Sequence, residues 1–175
     1  MTEWQRMTWN IFHTIALNYN DKYKNEYIEF FNTFKIIIPC SMCRNHYINH
    51  VNNDNLNIEN NINNNRVFDW TIDLHNTVNK MNNKKQWSYE EALNFYKINN
   101  FNNRMFKFFI FEYIKLNFKK NPSKTQELLK MLRTLPYLHP NEEKRNKLID
   151  FKDKFELNRG TVKNWIYAFL IILKS

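Results

Sequence analysis

Apolar residues in this chain recur at three- and four-residue spacing rather than in alternation, so the pattern predicts helices. Over residues 3–17, Trp9, Phe12, His13, Ala16 and Leu17 fall on one helical face. Residues 26–38 repeat the pattern with Tyr27, Phe30, Phe31, Phe34, Ile37 and Ile38, and Pro39 stops it because proline has no N–H to continue a helix. A short helix is expected to start around Cys40 and run towards Val51. The stretch 52–65 is rich in Asn and reads as a polar loop. Periodicity returns over residues 67–81, with Trp70, Leu74 and Val78 in line. Ser88 with Glu91 three residues on forms a capping box for a helix towards Tyr96. Further helical patterns occupy 104–118, 124–135, 141–157 and 161–173, broken by Asn121-Pro122, Pro136, Pro140 and Gly160.

Composition supports an all-α fold class. The 175 residues are 43% hydrophobic and 17% aromatic, enough to bury a core as one domain or as one domain with a helical extension. A single glycine and four prolines leave little material for hairpins or for a Gly-rich phosphate loop, which argues against a dinucleotide-binding α/β fold. The net charge is +9, but the basic residues are spread out. The densest groups, Lys119 with Lys120 and Lys144 with Arg145 and Lys147, sit beside acidic residues or helix boundaries. A solvated basic surface is therefore expected rather than a specific nucleic-acid groove. Residues 1–10 lack the pattern of a targeting segment, and the most apolar stretch, 165–173, is far short of the ~20 residues of a membrane span, so a soluble protein is expected.

The chain has two cysteines, and they form Cys40-Ser41-Met42-Cys43. Two cysteines cannot make a multi-disulfide scaffold, which leaves a redox dithiol, metal ligands or buried thiols. For the redox reading, Pro39 puts Cys40 at a helix start, where unpaired N–H groups and the helix dipole favour a thiolate. Cys43, one turn further in, is expected to be less exposed. For the metal reading, His46 and His50 join the cysteines as possible zinc ligands, although one helix does not readily wrap four ligands around a tetrahedral ion. No βαβ pattern surrounds the motif, so it is not thioredoxin-like. A second polar set, His75, Asn76 and Asn79, shares one helix, and such groups on a partly apolar face are costly unless a ligand or partner satisfies them. A solvated Asn-rich helix is the alternative.

Three segments taken together resemble the Erv/ALR family of FAD-linked sulfhydryl oxidases. They are Trp9-x-x-x-His13-x-x-Ala16, Pro39-Cys40-x-x-Cys43-x-x-His46-Tyr47, and Trp70-x-x-x-x-His75-Asn76-x-Val78-Asn79 with Lys84 five beyond. Their order and spacing agree over roughly residues 3 to 97. The resemblance implies a four-helix bundle with a short fifth helix, a FAD-binding oxidase domain over 1–100, and usually a homodimer. It also implies that Cys43 lies against the flavin, that Cys40 exchanges with client protein thiols, and that dioxygen accepts the electrons to give hydrogen peroxide. FAD would be lined or flanked by Arg6, Trp9, His13, Tyr19, Cys43, His46, His75, Asn76, Val78, Asn79, Lys80, Lys84 and Trp87. The chain departs from the family pattern by lacking further cysteines for a shuttle disulfide, so reducing equivalents must come straight from the client or from a small redox carrier protein. Residues 101–175 have no counterpart and form a helical extension of unassigned role. The Asn-, Lys- and Ile-rich composition suggests an AT-rich genome; for a viral member the resemblance implies action in the host cytoplasm or virion, otherwise in a soluble intracellular compartment. The contrasting possibility is a non-enzymatic basic helical adaptor with a small zinc site.

Overall fold

A computed structural model of the chain describes residues 2–98, 100–118 and 122–174; Lys119, Lys120 and Asn121 lie outside the described residues. Among these, ten α-helices and no strand are found, so the all-α expectation holds. In chain order they are α1 (Glu3–Leu17), α2 (Lys24–Ile37), α3 (Ser41–Val51), α4 (Ile58–Asn63), α5 (Val67–Met81), α6 (Tyr89–Ile98), α7 (Asn103–Asn117), α8 (Pro122–Thr134), α9 (Glu142–Lys154) and α10 (Val162–Lys174). None of the described helices is long and apolar enough to cross a membrane.

The centre of the molecule is aromatic. Phe12 of α1 meets Phe31 and Phe34 of α2 edge to face, with ring centroids 5.0 and 4.7 Å apart, a preferred geometry for ring pairs. Trp70 of α5 closes against Phe31 at 4.6 Å and donates its indole N–H to the Leu56 carbonyl at 2.7 Å. That bond satisfies the polar atom of an otherwise fully buried ring.

The segment 52–65 is more ordered than a polar loop. Ile58 and Ile62, one helical turn apart, are buried and draw the chain into α4. Its asparagines do the capping: Asn57 accepts from the Asn60 N–H, and Asn53 caps the preceding 3₁₀ turn in the same way. Asn65 then takes a left-handed turn at φ 55°, a conformation that asparagine tolerates.

The helices beyond residue 101 share this core. On α7, Phe106, Phe109, Ile110 and Tyr113 are buried, and the helix packs on α1 while α8 packs on α2. The Tyr113 ring sits 5.4 Å from Phe34. Thr8 donates its hydroxyl to the Trp4 carbonyl, so the 2.8 Å contact between Thr8 and Tyr113 has the tyrosine as donor. Helices α9 and α10 pack on one another, and α10 reaches α7. Asn103 and Lys144 donate to the Leu173 carbonyl, satisfying an acceptor at the end of α10 that has no helical partner. On the other side, Ile72, Ala92 and Tyr96 make a small second cluster that holds α6 beside α5.

Candidate functional site

Cys40 and Cys43 are both free thiols, set at the start of α3 by the proline before them. Ile38, preceding Pro39, is extended with ψ 121°, which ends α2 and turns the chain. Cys40 becomes the N-cap of α3, and its sulfur accepts the Cys43 N–H at 3.2 Å, the role a Ser or Asp oxygen usually takes. Hydrogen bonds from Cys43, first from its side chain and then from its N–H, hold the Cys40 thiol below its ordinary range. Cys43 goes the other way: burial, then the bond to Cys40, pushes it up to about 11. In the reduced pair the outer sulfur therefore gives up its proton before the inner one.

Cys43 forms part of the wall of a cleft of about 400 Å³ between α1, α3 and α5. Trp4, Gln5, Trp9 and Phe12 line it from α1, His46, Tyr47 and His50 from α3, and Leu74 and Val78 from α5. His50 also lines a larger polar groove of about 930 Å³, together with Asn76, Thr77 and Lys80. The His50 Nε2 atom is buried and has no hydrogen-bond partner. Burial and the neighbouring His46 lower the pKa of the His50 ring, which favours the neutral form.

Behind the cleft, the Trp9 and His75 rings stack nearly parallel, 4.1 Å apart. His13 is fully buried and joins His75 by a 2.9 Å nitrogen–nitrogen contact. The two asparagines of α5 are committed to the chain itself. Asn76 accepts the Trp87 N–H and donates to the Trp87 carbonyl, both at 2.8 Å, and Asn79 donates to the Lys85 carbonyl at 3.1 Å. They tie the strap between α5 and α6 back onto α5, so the amides expected to need a ligand find partners within the fold.

Trp9, Cys43, His46 and Val78, picked from three separate motifs, therefore share one cleft, while Asn76 and Lys80 line the adjoining groove. Arg6, His75 and Trp87 line a further recess on the far side of Trp9. Tyr19 lies away from all of these: its hydroxyl donates to Asp21, and burial with that bond pushes it up to about 12. Lys84 is exposed beyond the end of α5, and its charge adds to the depression of His75. Sequence reading left out Gln5 and Trp4, and took His50 only as a possible zinc ligand. The spacing Cys43, His46, His50 places all three on one stripe of α3 and would have found the last. Among the described residues no group of three His, Cys, Asp or Glu side chains is arranged to hold a metal ion.

The Erv1 / Alr family model matches residues 6–104, more than half of the chain. A "Probable FAD-linked sulfhydryl oxidase" of Acanthamoeba polyphaga mimivirus is 35% identical over 95 residues, covering 52% of this chain and 66% of that protein, just under two thirds of its length. Proteins named "FAD-linked sulfhydryl oxidase" from two isolates of African swine fever virus are each 34% identical over 102 residues, covering 55% of this chain and 82% of theirs. No solved structure matches the chain significantly. The motifs at Trp9–His13, Cys40–Cys43 and His75–Asn79 all fall inside the matched region, and the chain belongs to the Erv1/Alr family.

Proposed function

We propose that this chain is a FAD-dependent thiol oxidase that forms disulfides in client proteins through Cys40 and Cys43. The observation that carries this reading is the Cys43 sulfur in the wall of a ring-lined cleft, with Cys40 one turn away at the helix cap. The cleft also fits the cofactor. A flat ring system suits the apolar space beside Trp9 and Phe12, and the adjoining groove offers amides and the Lys80 cation to a polar, anionic tail. The orphaned His50 Nε2 is a polar atom on that wall that such a ligand would satisfy. Trp9, His46, His50 and Val78 would hold the ring system, and Asn76 and Lys80 would face the tail.

The chain's own chemistry is disulfide exchange. A client thiolate attacks the Cys40 sulfur; the Cys40–Cys43 bond breaks, and its electron pair leaves on Cys43. A second client thiolate attacks the mixed disulfide, releases Cys40 as a thiolate, and the client departs oxidised. The N–H at the head of α3 stabilises charge on Cys40 in that step. When bound, FAD would supply the two-electron acceptor for the reduced pair, with dioxygen as the final oxidant and hydrogen peroxide as its product. Electrons reach Cys40 from the client itself or from a small redox carrier, and the working unit is a homodimer, as the family resemblance implies. For a viral protein the setting is the host cytoplasm or virion. The test is the visible spectrum of the purified chain with oxygen uptake on dithiothreitol. A yellow protein that consumes oxygen is expected; a colourless protein without thiol oxidation overturns the reading.

A further inference from the structure

We propose that Gln5 is a positioning residue for the redox pair, oriented by the N-terminal cap of α1 so that its amide donates to Cys43 Sγ and stabilises that sulfur as a thiolate. The proposal rests on the reading of Cys40–Cys43 as the redox centre and adds a residue that lies outside the family-like motifs.

Gln5 is the third residue of α1, where a capping box returns a side-chain oxygen to the backbone N–H before the helix. Its Oε1 accepts the Thr2 N–H at 2.8 Å. With that end fixed, Nε2 lies 3.8 Å from Cys43 Sγ, long for a hydrogen bond, as bonds to sulfur are. Glutamate would close the capping box equally well; only glutamine also brings a donor to the sulfur. The contact links the first turn of α1 to the first turn of α3 across the mouth of the cleft.

The titratable groups around this sulfur are Cys40, His46 and His50 of α3 and Tyr113 of α7, with Gln5 reaching in from α1; the charged Arg44 acts on Cys40 and donates to the Ile38 carbonyl. Burial and Cys40 raise the Cys43 thiol, and the Gln5 amide opposes them. The bond matters when Cys43 carries charge, because hydrogen bonds to an ionised acceptor shorten and strengthen. That moment comes when a client sulfur bonds to Cys40 Sγ, the Cys40–Cys43 bond breaks and the electron pair leaves on Cys43. A leaving thiolate of lower pKa departs faster.

Three substitutions at Gln5 separate this role from helix capping. Gln5→Glu keeps the capping acceptor and removes the donor; Gln5→Met removes both without adding charge; Gln5→Ala also removes the bulk. In a Cys40→Ser background, the rate of Cys43 alkylation by iodoacetamide as a function of pH reports the thiolate directly, at matched flavin content. Gln5→Glu and Gln5→Met are both expected to move the midpoint upwards, by about one pH unit or more for Glu. Below the midpoint that slows alkylation roughly tenfold, while Gln5→Glu leaves the melting temperature unchanged. An unmoved midpoint in both overturns the proposal. So does a shift in Glu alone, which would be carboxylate repulsion rather than a lost donor. If the midpoint shifts in a protein that binds no flavin, the role of Gln5 stands and the oxidase reading alone is lost.

Discussion

His13 Nε2 accepts a hydrogen bond from His75 Nδ1 at 2.9 Å, and the hydroxyl of Thr71 decides that direction. Thr71 has one proton and donates it to the Phe68 carbonyl at 2.7 Å. Its oxygen, 2.9 Å from His13 Nδ1, must therefore accept. With Nδ1 protonated, a neutral His13 presents a bare Nε2, which accepts the hydrogen bond from the His75 Nδ1–H and leaves the His75 Nε2 as an acceptor. Burial holds both rings neutral: His13 lies well below its ordinary range, and His75 falls to about 4, with Lys84 adding to the effect.

Thr71→Val removes the acceptor for the His13 Nδ1 proton without changing the side-chain shape. An unpaired buried N–H costs on the order of 1–3 kcal/mol, so His13 is expected to invert its tautomer and donate to His75 instead. Nitrogen chemical shifts of the two rings check this, with Thr71→Ser restoring the original pattern. Unchanged shifts in Thr71→Val would remove Thr71 as the determinant.

Acid should destabilise the fold in a defined window. His75 and His139 both have folded values near 4, each chiefly through burial, and His13 is lowered too. Between roughly pH 6.5 and 4 the unfolded chain binds protons at these sites and the folded chain does not, so stability is complete above that range and falls as pH falls through it. Each group contributes up to about 1.4 kcal/mol per pH unit. Urea midpoints of the flavin-free chain should drop across this window and flatten below it, and His139→Asn should reduce the slope.

Asn76→Ala should loosen the strap between α5 and α6. It deletes both hydrogen bonds to the Trp87 backbone, about 1–3 kcal/mol together, and unpins a wall of the recess beside Trp9. Limited proteolysis within residues 82–88 and a lowered melting temperature are expected, with lower flavin content if the proposed cofactor depends on that wall. Asn76→Asp retains the acceptor for the Trp87 N–H and should show about half the loss. Full resistance in Asn76→Ala would mean that the strap is held by α6 alone.

Much of this was legible in the sequence, for physical reasons that differ along the chain. Helices α1 and α5 end where expected because long amphipathic runs leave no other register for Phe12, Ile15, Trp70 and Leu74. Helix α4 was not legible: two isoleucines among asparagines make no readable stripe, and asparagine serves equally as loop and as cap. At the site, the three motifs carried Trp9, Cys43, His46 and Val78 into one cleft. Periodicity has no means of showing that Gln5 reaches Cys43, 38 residues away, or that the Asn76 and Asn79 amides find backbone partners at 85 and 87.

Both cysteines should be required for turnover. Cys43→Ser is expected to abolish oxidation of dithiothreitol and of protein thiols while leaving FAD bound, because it removes one sulfur from the cleft wall and little volume. Cys40→Ser should also end turnover, since it removes the attacked sulfur. Oxygen consumption and flavin content measured on both check this. Turnover that persists in Cys43→Ser would remove it from the electron path.

Truncation after Asn100 tests what the helical extension does. Residues 101–175 hold no cysteine, so they cannot relay electrons, yet their apolar residues are not a separate core. Phe109 and Tyr113 of α7 sit against Phe34, and α8 lies along α2. Removing them would bare Phe30, Phe34 and neighbouring parts of α1 and α2 to water. Each large apolar side chain exposed in this way costs about 1.5–3 kcal/mol, and several together are comparable to the roughly 5–15 kcal/mol that holds a typical domain folded. The fragment is therefore expected to lose stability, or to cover the bared faces with a second copy and change its oligomeric state, while any soluble remainder keeps dithiothreitol oxidase activity. Light scattering and flavin content on the fragment decide the matter. A monodisperse fragment of unchanged subunit count and melting temperature, impaired only towards protein thiols, would refute the structural role and assign 101–175 to client binding.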